Sequence, residues 1–235
     1  MHAPARGTAL PRAAGGGIPG PVPGTLPCMA ARPTFILASA SPARRTLLDS
    51  AGIDAEVIVS GVDEDAVEAT TAEALSAVLA RMKAHAVEQR LRHSSTAPDR
   101  ALVLGCDSVL AFDGQILGKP EDADEALKRW QAMRGRSGVL HTGHCLVELH
   151  TGRVAEEVGS TVVHFADLSD AEIEAYVATG EPLWVAGSFT IDGLGGPFVE
   201  RIEGDHTNVV GLSLPLLRRL LATLDISITE LWRQR

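Results

Sequence analysis

Hydroxyl and guanidinium groups cluster near the start of the chain in the segment Ser39-Ala40-Ser41-Pro42-Ala43-Arg44-Arg45. The segment follows the apolar run Phe35-Ile36-Leu37-Ala38 and precedes a helix-like pattern from Thr46, which predicts a strand, a tight loop and a helix start. Two hydroxyls, two guanidinium groups and the free backbone N–H groups of a helix N-terminus suit a multiply charged anion such as a polyphosphate. The alternative is a serine N-cap with Pro42 at the first helical position, followed by ordinary surface arginines.

Two carboxylates are candidates for acid–base work or metal binding. Asp107 follows the fully apolar run 101–106, which predicts a buried strand that ends at this residue, on the side of an α/β sheet where ligands usually bind. Glu64 lies with Asp63 and Asp65 in a loop after a second predicted strand, residues 55–60. Mg²⁺ typically takes one or two carboxylates together with phosphate oxygens. The alternatives are a turn aspartate at 107 and a solvated acidic loop at 64.

Two lysines are candidates for neutralising phosphate charge. Lys83 lies on a helix that a capping-box pattern at Thr70 and Glu73 predicts, with apolar residues at helical spacing up to about Leu91. Lys119 follows a predicted hairpin that turns at residues 113–114 and folds back towards Asp107. Proline after Lys119 restricts its backbone, although most lysines are simply solvated surface groups.

The remaining elements complete a strand and helix alternation. Residues 122–133 and 169–179 are predicted helices, residues 138–149 and 153–165 are predicted strands, and two short helices follow from residue 214. This pattern predicts an α/β fold with a mixed sheet.

Several other patterns carry less chemistry. The glycine-rich segment 187–196 is typical of a loop that approaches a ligand closely, but it has neither dinucleotide-binding nor Walker spacing. His141 and His144 would point to opposite faces of a strand, so we interpret them as structural. Three cysteines without paired spacing predict neither a disulfide framework nor a structural zinc site, and they favour a reducing cytoplasmic location.

Composition limits the classes of partner. No apolar stretch approaches the length of a membrane span, so we expect a soluble protein with no membrane partner. A formal net charge of −9 argues against a nucleic-acid surface. Residues 1–28 are rich in proline, glycine and alanine and predict a disordered leader, whereas residues 29–235 are expected to form a single domain. Met29 stands just before the first strand, and we hypothesise that translation starts there.

Seven separated motifs occur in one order along the chain and together resemble one family. They are Leu37-Ala38-Ser39-Ala40-Ser41-Pro42-Ala43-Arg44-Arg45, Val62-Asp63-Glu64, Lys83-Ala84, Gly105-Cys106-Asp107-Ser108-Val109, Gly118-Lys119-Pro120, Ala186-Gly187-Ser188-Phe189 and Asn208-Val209-Val210-Gly211-Leu212-Ser213-Leu214-Pro215. In these motifs the chain resembles the Maf family of nucleotide pyrophosphatases, from about Thr34 to Leu221.

The resemblance implies an activity and a site. The activity is hydrolysis of a nucleoside triphosphate between the α- and β-phosphates. The implied fold is Maf/ITPase-like, with an elongated mixed central sheet flanked by helices, a cleft between two lobes and, often, a homodimer. The residues that it implies as polyphosphate ligands are Ser39, Ser41, Arg44, Arg45, Lys83 and Lys119. Asp107 resembles the family's proton acceptor, and Glu64 with Asp107 its ligands for Mg²⁺ or Mn²⁺.

The base-selecting positions match neither of two patterns seen in relatives. Pyrimidine-preferring relatives carry Arg, Thr and Gln at the positions of Ala43, Ser108 and Asp192, and relatives that prefer 7-methylguanosine triphosphate carry Trp, Gln and Glu. The preferred base therefore stays open, and Asp192 could accept a hydrogen bond from a base N–H.

Two other functions stay open at this stage. A nucleotide-binding regulator of cell division with little turnover would need the phosphate ligands but no base. A phosphatase that releases single phosphates would use the same residues.

Overall fold

Seven strands form one mixed sheet in the computed structural model, which describes residues 32–233. The strands are β1 Thr34–Leu37, β2 Ala55–Val57, β3 Ala101–Phe112, β4 Gln115–Leu117, β5 Ser137–Glu148, β6 Val154–Phe165 and β7 Val199–Glu203. Their order is β2-β1-β3-β5-β6-β7, and β4 pairs with β3. β1 is parallel to β2 and β3, whereas the other pairs are antiparallel. The predicted α/β fold with a mixed central sheet is confirmed.

Helices cover the sheet, and polar caps fix where most of them begin. The helices are α1 Pro42–Ser50, α2 Ala72–Arg92, α3 Ala123–Met133, α4 Asp170–Ala178, α5 His206–Val210 and α6 Leu214–Thr223. Ser41, Asp122 and Ser169 accept backbone N–H groups at the starts of α1, α3 and α4, as predicted. The predicted cap of α2 was wrong by one residue, because Thr71 rather than Thr70 accepts the N–H of Ala74.

Other differences from the sequence prediction concern strand ends. β2 stops at Val57 instead of residue 60, and β7 and α5 were not predicted. β3 does not end at Cys106 but continues to Phe112, because β5 pairs with it over Leu102–Ala111. Asp107 therefore lies inside a long strand and not in a turn after one.

The position of Asp107 on β3 coincides with a break in the sheet. One edge of β3 pairs with β5. The other edge pairs with β1 over Ala101–Leu104 and with β4 over Leu110–Phe112. Within residues 32–233, residues 105–109 have no strand partner on that second edge, and α1 begins shortly beyond the end of β1. The interrupted pairing leaves the backbone of β3 at Asp107 without a neighbouring strand on that edge.

The buried core is arranged around the two ends of β3. Near its start, α6 packs on one face and α2 on the other, around residues such as Leu104 and Val103 respectively. Near its far end, Trp130 of α3 and Tyr176 of α4 lie in a third cluster with Leu110. None of the helices in the described part of the chain is long and apolar enough to cross a membrane. The expectations for residues 1–28 and for a start at Met29 lie outside the described residues.

Candidate active site

Lys83 lies between the two predicted metal-binding carboxylates. Its ammonium group is 2.6 Å from Asp107 Oδ1 and 2.7 Å from Glu64 Oε1. Lys83 and Asp107 are buried, whereas the Glu64 side chain is 43% exposed and faces the solvent side of the cluster. The structure thus brings together three predicted site residues from β3, α2 and the loop after β2.

Close packing of α2 on the sheet fixes the position of Lys83. A Cβ atom at Gly105 would lie 2.2 Å from the carbonyl oxygen of Ala80, and one at Gly143 would lie 2.1 Å from that of Ser76. No larger residue fits at either contact, so the helix backbone rests directly on β3 and β5. Gly105 and Asp107 share one face of β3, and Lys83 lies one turn along α2 from Ala80.

The Asp107 carboxyl has a raised affinity for a proton. Burial raises its pKa above the ordinary value, although the charges of Lys83 and Arg44 oppose the shift by favouring the ionised form, and Glu64 adds to it. A carboxylate whose pKa is shifted upwards is a better proton acceptor than an exposed aspartate. The geometry and the pKa both suit Asp107 to act as a base.

Arg44 carries a buried positive charge held by neutral groups. Its guanidinium donates to the carbonyl of Gly211 at 2.6 Å, to Ser39 Oγ at 3.0 Å and to Ser108 Oγ at 3.0 Å. The residue is only 8% exposed, yet no carboxylate of residues 32–233 forms an ion pair with it. Burying a guanidinium group without a direct ion pair is costly, which favours an anionic ligand at this position.

Two hydroxyl groups link the Arg44 guanidinium to the backbone at Asn208 and so orient it. Ser108 Oγ accepts from the guanidinium and lies 2.9 Å from Thr142 Oγ1, which donates to the carbonyl of Asn208 at 2.9 Å. Because the Thr142 proton is directed to Asn208, Ser108 is left to donate to Thr142. The motif from Asn208 to Pro215 thus supplies two carbonyl groups to this network, a role that sequence reasoning missed.

Ser39 and Ser41 lie at the N-terminus of α1, where the predicted serine N-cap is confirmed. Ser41 is the N-cap and Pro42 the first helical residue. Ser39 is buried and accepts hydrogen bonds from the Ser41 N–H and from Arg44. The segment is therefore a helix cap that also holds a buried guanidinium group.

Four predicted site residues are not joined to this cluster by a hydrogen bond or ion pair among the described residues. Arg45 is exposed and lines a shallow pocket of about 170 Å³ with Asp49 and Asp54. Lys119 and Asp192 are exposed, and Ala43 is half-buried on α1. The carbonyl of the neighbouring Gly118 accepts from Arg129 at 2.6 Å and from the Gly187 N–H at 3.1 Å.

The glycine-rich segment has an internal reason for its composition. Cβ atoms at Gly193 and Gly195 would lie 2.6 Å from Glu181 Oε2 and 2.4 Å from Tyr176 Oη. Contacts within the protein therefore account for two of the glycines that we had associated with a ligand.

His144 is structural, as predicted, and Cys106 and Cys145 are buried in the core. His144 Nδ1 lies 2.9 Å from the Thr142 carbonyl, and Nε2 accepts the Ser213 N–H at 2.9 Å. Burial lowers its pKa to about 4, so the ring is neutral near pH 7. Burial raises the pKa of Cys106 and of Cys145 to about 12, which suppresses the reactive thiolate.

The residues present fit a divalent cation that is shared with a substrate. Among residues 32–233 there is no cluster of three or more histidine, cysteine or carboxylate side chains that could hold a metal alone. Glu64 and Asp107, however, both contact the same cationic nitrogen. Two carboxylates completed by phosphate oxygens and water are a typical set for Mg²⁺ or Mn²⁺.

Comparison with known proteins places this arrangement in a family. The family described as Maf-like protein matches residues 34–224, which includes every residue of the site. The chain belongs to the Maf family. Its members that resemble it include a nucleoside triphosphate pyrophosphatase of Salinispora tropica, 66% identical over 84% of this chain and 87% of the relative. Proteins of the same name from Streptomyces coelicolor and Gloeothece citriformis are 57% and 51% identical, over 86% and 85% of this chain and 95% and 98% of the relatives.

Proposed function

We propose that this Maf-family protein is a nucleoside triphosphate pyrophosphatase that hydrolyses the bond between the α- and β-phosphates and releases a monophosphate and pyrophosphate. The observation that carries the proposal is that a buried, charge-bearing Arg44, bonded to Ser108, lies near a buried Asp107 where the pairing of β3 is interrupted. The first group suits a polyphosphate, and the second suits a base. The names of the relatives support the same reaction for proteins that share most of this sequence.

Each group of the site has a role in this reaction. Asp107 accepts a proton from the attacking water, whose oxygen forms a bond to the α-phosphorus while the bond to the bridging oxygen breaks. Arg44 binds the phosphate chain, with Ser39 and Ser41 at the same helix N-terminus. Lys83 holds the Asp107 and Glu64 carboxylates together before substrate enters. Arg45 and Lys119 supply exposed positive charge to the departing pyrophosphate.

A divalent cation completes the proposed site. Glu64 and Asp107 would hold Mg²⁺ or Mn²⁺ together with substrate oxygens, and the cation would neutralise phosphate charge and polarise the phosphoryl group.

Ala43, Ser108 and Asp192 are the proposed base-selecting positions. Ser108 differs from the other two because its hydroxyl is engaged with Arg44 and Thr142. Asp192 is exposed and has a free carboxylate within the described part of the chain, so it is the stronger candidate for contact with a base.

A nucleotide-binding regulator with little turnover is the competing function. It has no need for a buried carboxylate with a raised pKa next to the phosphate ligands. This observation favours the enzyme, and a product assay separates the two functions.

The test is hydrolysis of a panel of nucleoside triphosphates with Mg²⁺ or Mn²⁺ in ¹⁸O-labelled water. We expect monophosphate and pyrophosphate, with the label in the monophosphate because water attacks the α-phosphorus. Diphosphate with orthophosphate would contradict the proposal, and tight binding without products would favour the regulator.

Asp107→Asn tests the base directly. A positioned general base contributes roughly 10²–10⁴-fold to rate, so we expect kcat to fall by about that factor while nucleotide binding is retained. Asp113→Asn is the matched control, because Asp113 is an exposed carboxylate in the turn just after the same strand. Wild-type kcat in Asp107→Asn would remove Asp107 from the mechanism.

A further inference from the structure

The carboxylate of Glu181 organises the glycine-rich segment around itself. It accepts hydrogen bonds from Tyr176 Oη at 2.9 Å, from the Leu194 N–H at 3.0 Å and from the Gly195 N–H at 3.0 Å, and also from the Thr190 hydroxyl. Four donors, one from α4 and three from the glycine-rich segment, converge on one side chain. Hydrogen bonds to a charged acceptor are about twice as strong as neutral ones, so this residue is a strong anchor.

The glycines of the segment let the backbone come close enough for these bonds. A Cβ atom at Gly193 would lie 2.6 Å from Glu181 Oε2, and one at Gly195 would lie 2.7 Å from the Thr190 carbonyl. Any side chain at either position would push the backbone away from the carboxylate. The composition of the segment is therefore matched to Glu181.

The four hydrogen bonds also favour the ionised form of the Glu181 carboxylate. Their donors are the hydroxyls of Tyr176 and Thr190 and the two backbone amides. Burial opposes ionisation of Glu181, but the hydrogen bonds outweigh it, and the pKa of the carboxyl is lowered. The anchor is thus charged at neutral pH, and it is satisfied by the loop rather than by a cation.

Asp192 lies inside the stretch that Glu181 holds. It follows Thr190 by two residues and precedes Leu194 by two, and both neighbours donate to Glu181. A second anchor fixes the start of the segment, where Trp130 Nε1 donates to the Ser188 carbonyl at 2.7 Å. Asp192 is itself exposed between these fixed points, which leaves its carboxylate available to a ligand.

We propose that Glu181 is a positioning residue that places Asp192 for contact with the nucleobase and thereby contributes to the choice of substrate. The proposal rests on the proposed function, in which Asp192 selects the base. Glu181 itself does not touch the substrate. Its effect is transmitted through the Thr190–Gly195 backbone, so it governs discrimination between bases and not the bond-breaking step.

The test compares kcat/KM for the best and the worst nucleoside triphosphate of the panel in wild type and in Glu181→Gln. A glutamine keeps the size of the side chain but replaces one acceptor oxygen by a donor, which leaves one of the loop N–H groups or hydroxyls unpaired. The Leu194 N–H bond is exposed and the other three are half-buried, so we expect the loss of one hydrogen bond to lower the ratio by about three- to tenfold. The loss should appear mainly in KM for the preferred nucleotide.

Glu172→Gln is the matched control. Glu172 is a carboxylate on α4 that also accepts a backbone N–H and a hydroxyl, both from Ser169, but it caps α4 and has no bond to the glycine-rich segment. We expect the ratio of kcat/KM values between the best and the worst nucleotide to stay at the wild-type value in Glu172→Gln. Amide hydrogen exchange at Leu194 and Gly195 should rise in Glu181→Gln and stay unchanged in the control.

A double-variant cycle separates positioning from a general loss of structure. If Glu181 acts through Asp192, then Glu181→Gln should not change the ratio further in an Asp192→Asn background. Gly193→Ala, which keeps Glu181 but displaces the backbone beside it, should reproduce the loss and serves if Glu181→Gln does not fold.

The outcomes that overturn this proposal differ from those that overturn the proposed function. Wild-type protein that forms no pyrophosphate contradicts the proposed function. If wild type does form pyrophosphate, three results overturn only the role of Glu181. They are an unchanged kcat/KM ratio in Glu181→Gln and Gly193→Ala, an equal effect of Glu181→Gln in the Asp192→Asn background, and equal use of all bases by wild type.

Discussion

Replacing Lys83 by methionine should raise the pKa of Asp107 strongly. The Lys83 ammonium group contacts both Asp107 and Glu64, and the side chains of Lys83 and Asp107 are buried. Methionine keeps much of the volume and removes the charge and the hydrogen bond. In the variant, desolvation of Asp107 is opposed only by Arg44, and Glu64 adds repulsion.

The size of the effect follows from the contact distance. An opposite charge within ~4–6 Å lowers the pKa of a carboxyl by about 1–3 units, and the Lys83 nitrogen is closer than that. Removing it should therefore raise the pKa of Asp107 by about 1–3 units. Because Asp107 must be ionised to accept a proton, the acid limb of the pH dependence of kcat/KM moves to higher pH by the same amount.

The assay is ¹³C NMR of labelled aspartate carboxyl groups during a pH titration, with the Asp107 signal assigned from its absence in Asp107→Asn. This readout does not require activity, and the pH dependence of residual kcat/KM provides a second one. Lys128→Met is the control, since Lys128 is an exposed lysine on α3 outside the cluster. A pKa for Asp107 that stays within about 0.3 units of wild type would refute the electrostatic argument.

Three further results should follow from the structure. Ser108→Ala removes one of the hydrogen bonds that orient Arg44, worth about 1.5–3 kcal/mol for a charged donor, so KM for the nucleotide should rise at least tenfold with a smaller change in kcat in steady-state assays. His144 has a pKa of about 4 in the folded protein, below its unfolded value near 6.5, so the unfolded chain takes up the proton first as pH falls. The free energy of unfolding in urea should therefore drop by about 2 kcal/mol between pH 7 and pH 5, and His144→Gln should lack this drop. Gly105→Ala places a Cβ against the α2 backbone and should lower stability by about 1–3 kcal/mol or more, with reduced activity because α2 carries Lys83. A Gly105→Ala variant with wild-type urea midpoint and kcat would contradict the close-packing argument.

Local patterns in the sequence predicted most of the elements, because caps and turns act over a few residues. Asp122 and Ser169 begin α3 and α4 as predicted. The turn at Asp113 and Gly114 has positive φ at both residues, as the Asp-Gly pair indicates. The end of β3 was missed because partner strands, which are distant in sequence, decide where a strand stops.

The candidate site was predicted as a set of residue types, but its contacts were not predictable. The salt bridges of Lys83 depend on how closely α2 lies on the sheet, and only the packing of Gly105 and Gly143 against the helix backbone shows this. The role of Glu181 had one sequence signal, the glycines at 193 and 195. That signal indicated a close approach without indicating what approaches.

By itself, the sequence determined the inventory of the site and the family to which the chain belongs. Ser39, Arg44, Glu64 and Asp107 could be chosen because their types and neighbours are local properties of the chain. Tertiary structure alone decided that Arg44 is buried among neutral partners and that burial raises the pKa of Asp107. Desolvation and charge pairing depend on what surrounds a group in space, and residues more than a hundred positions away, such as Gly211 beside Arg44, supply those surroundings.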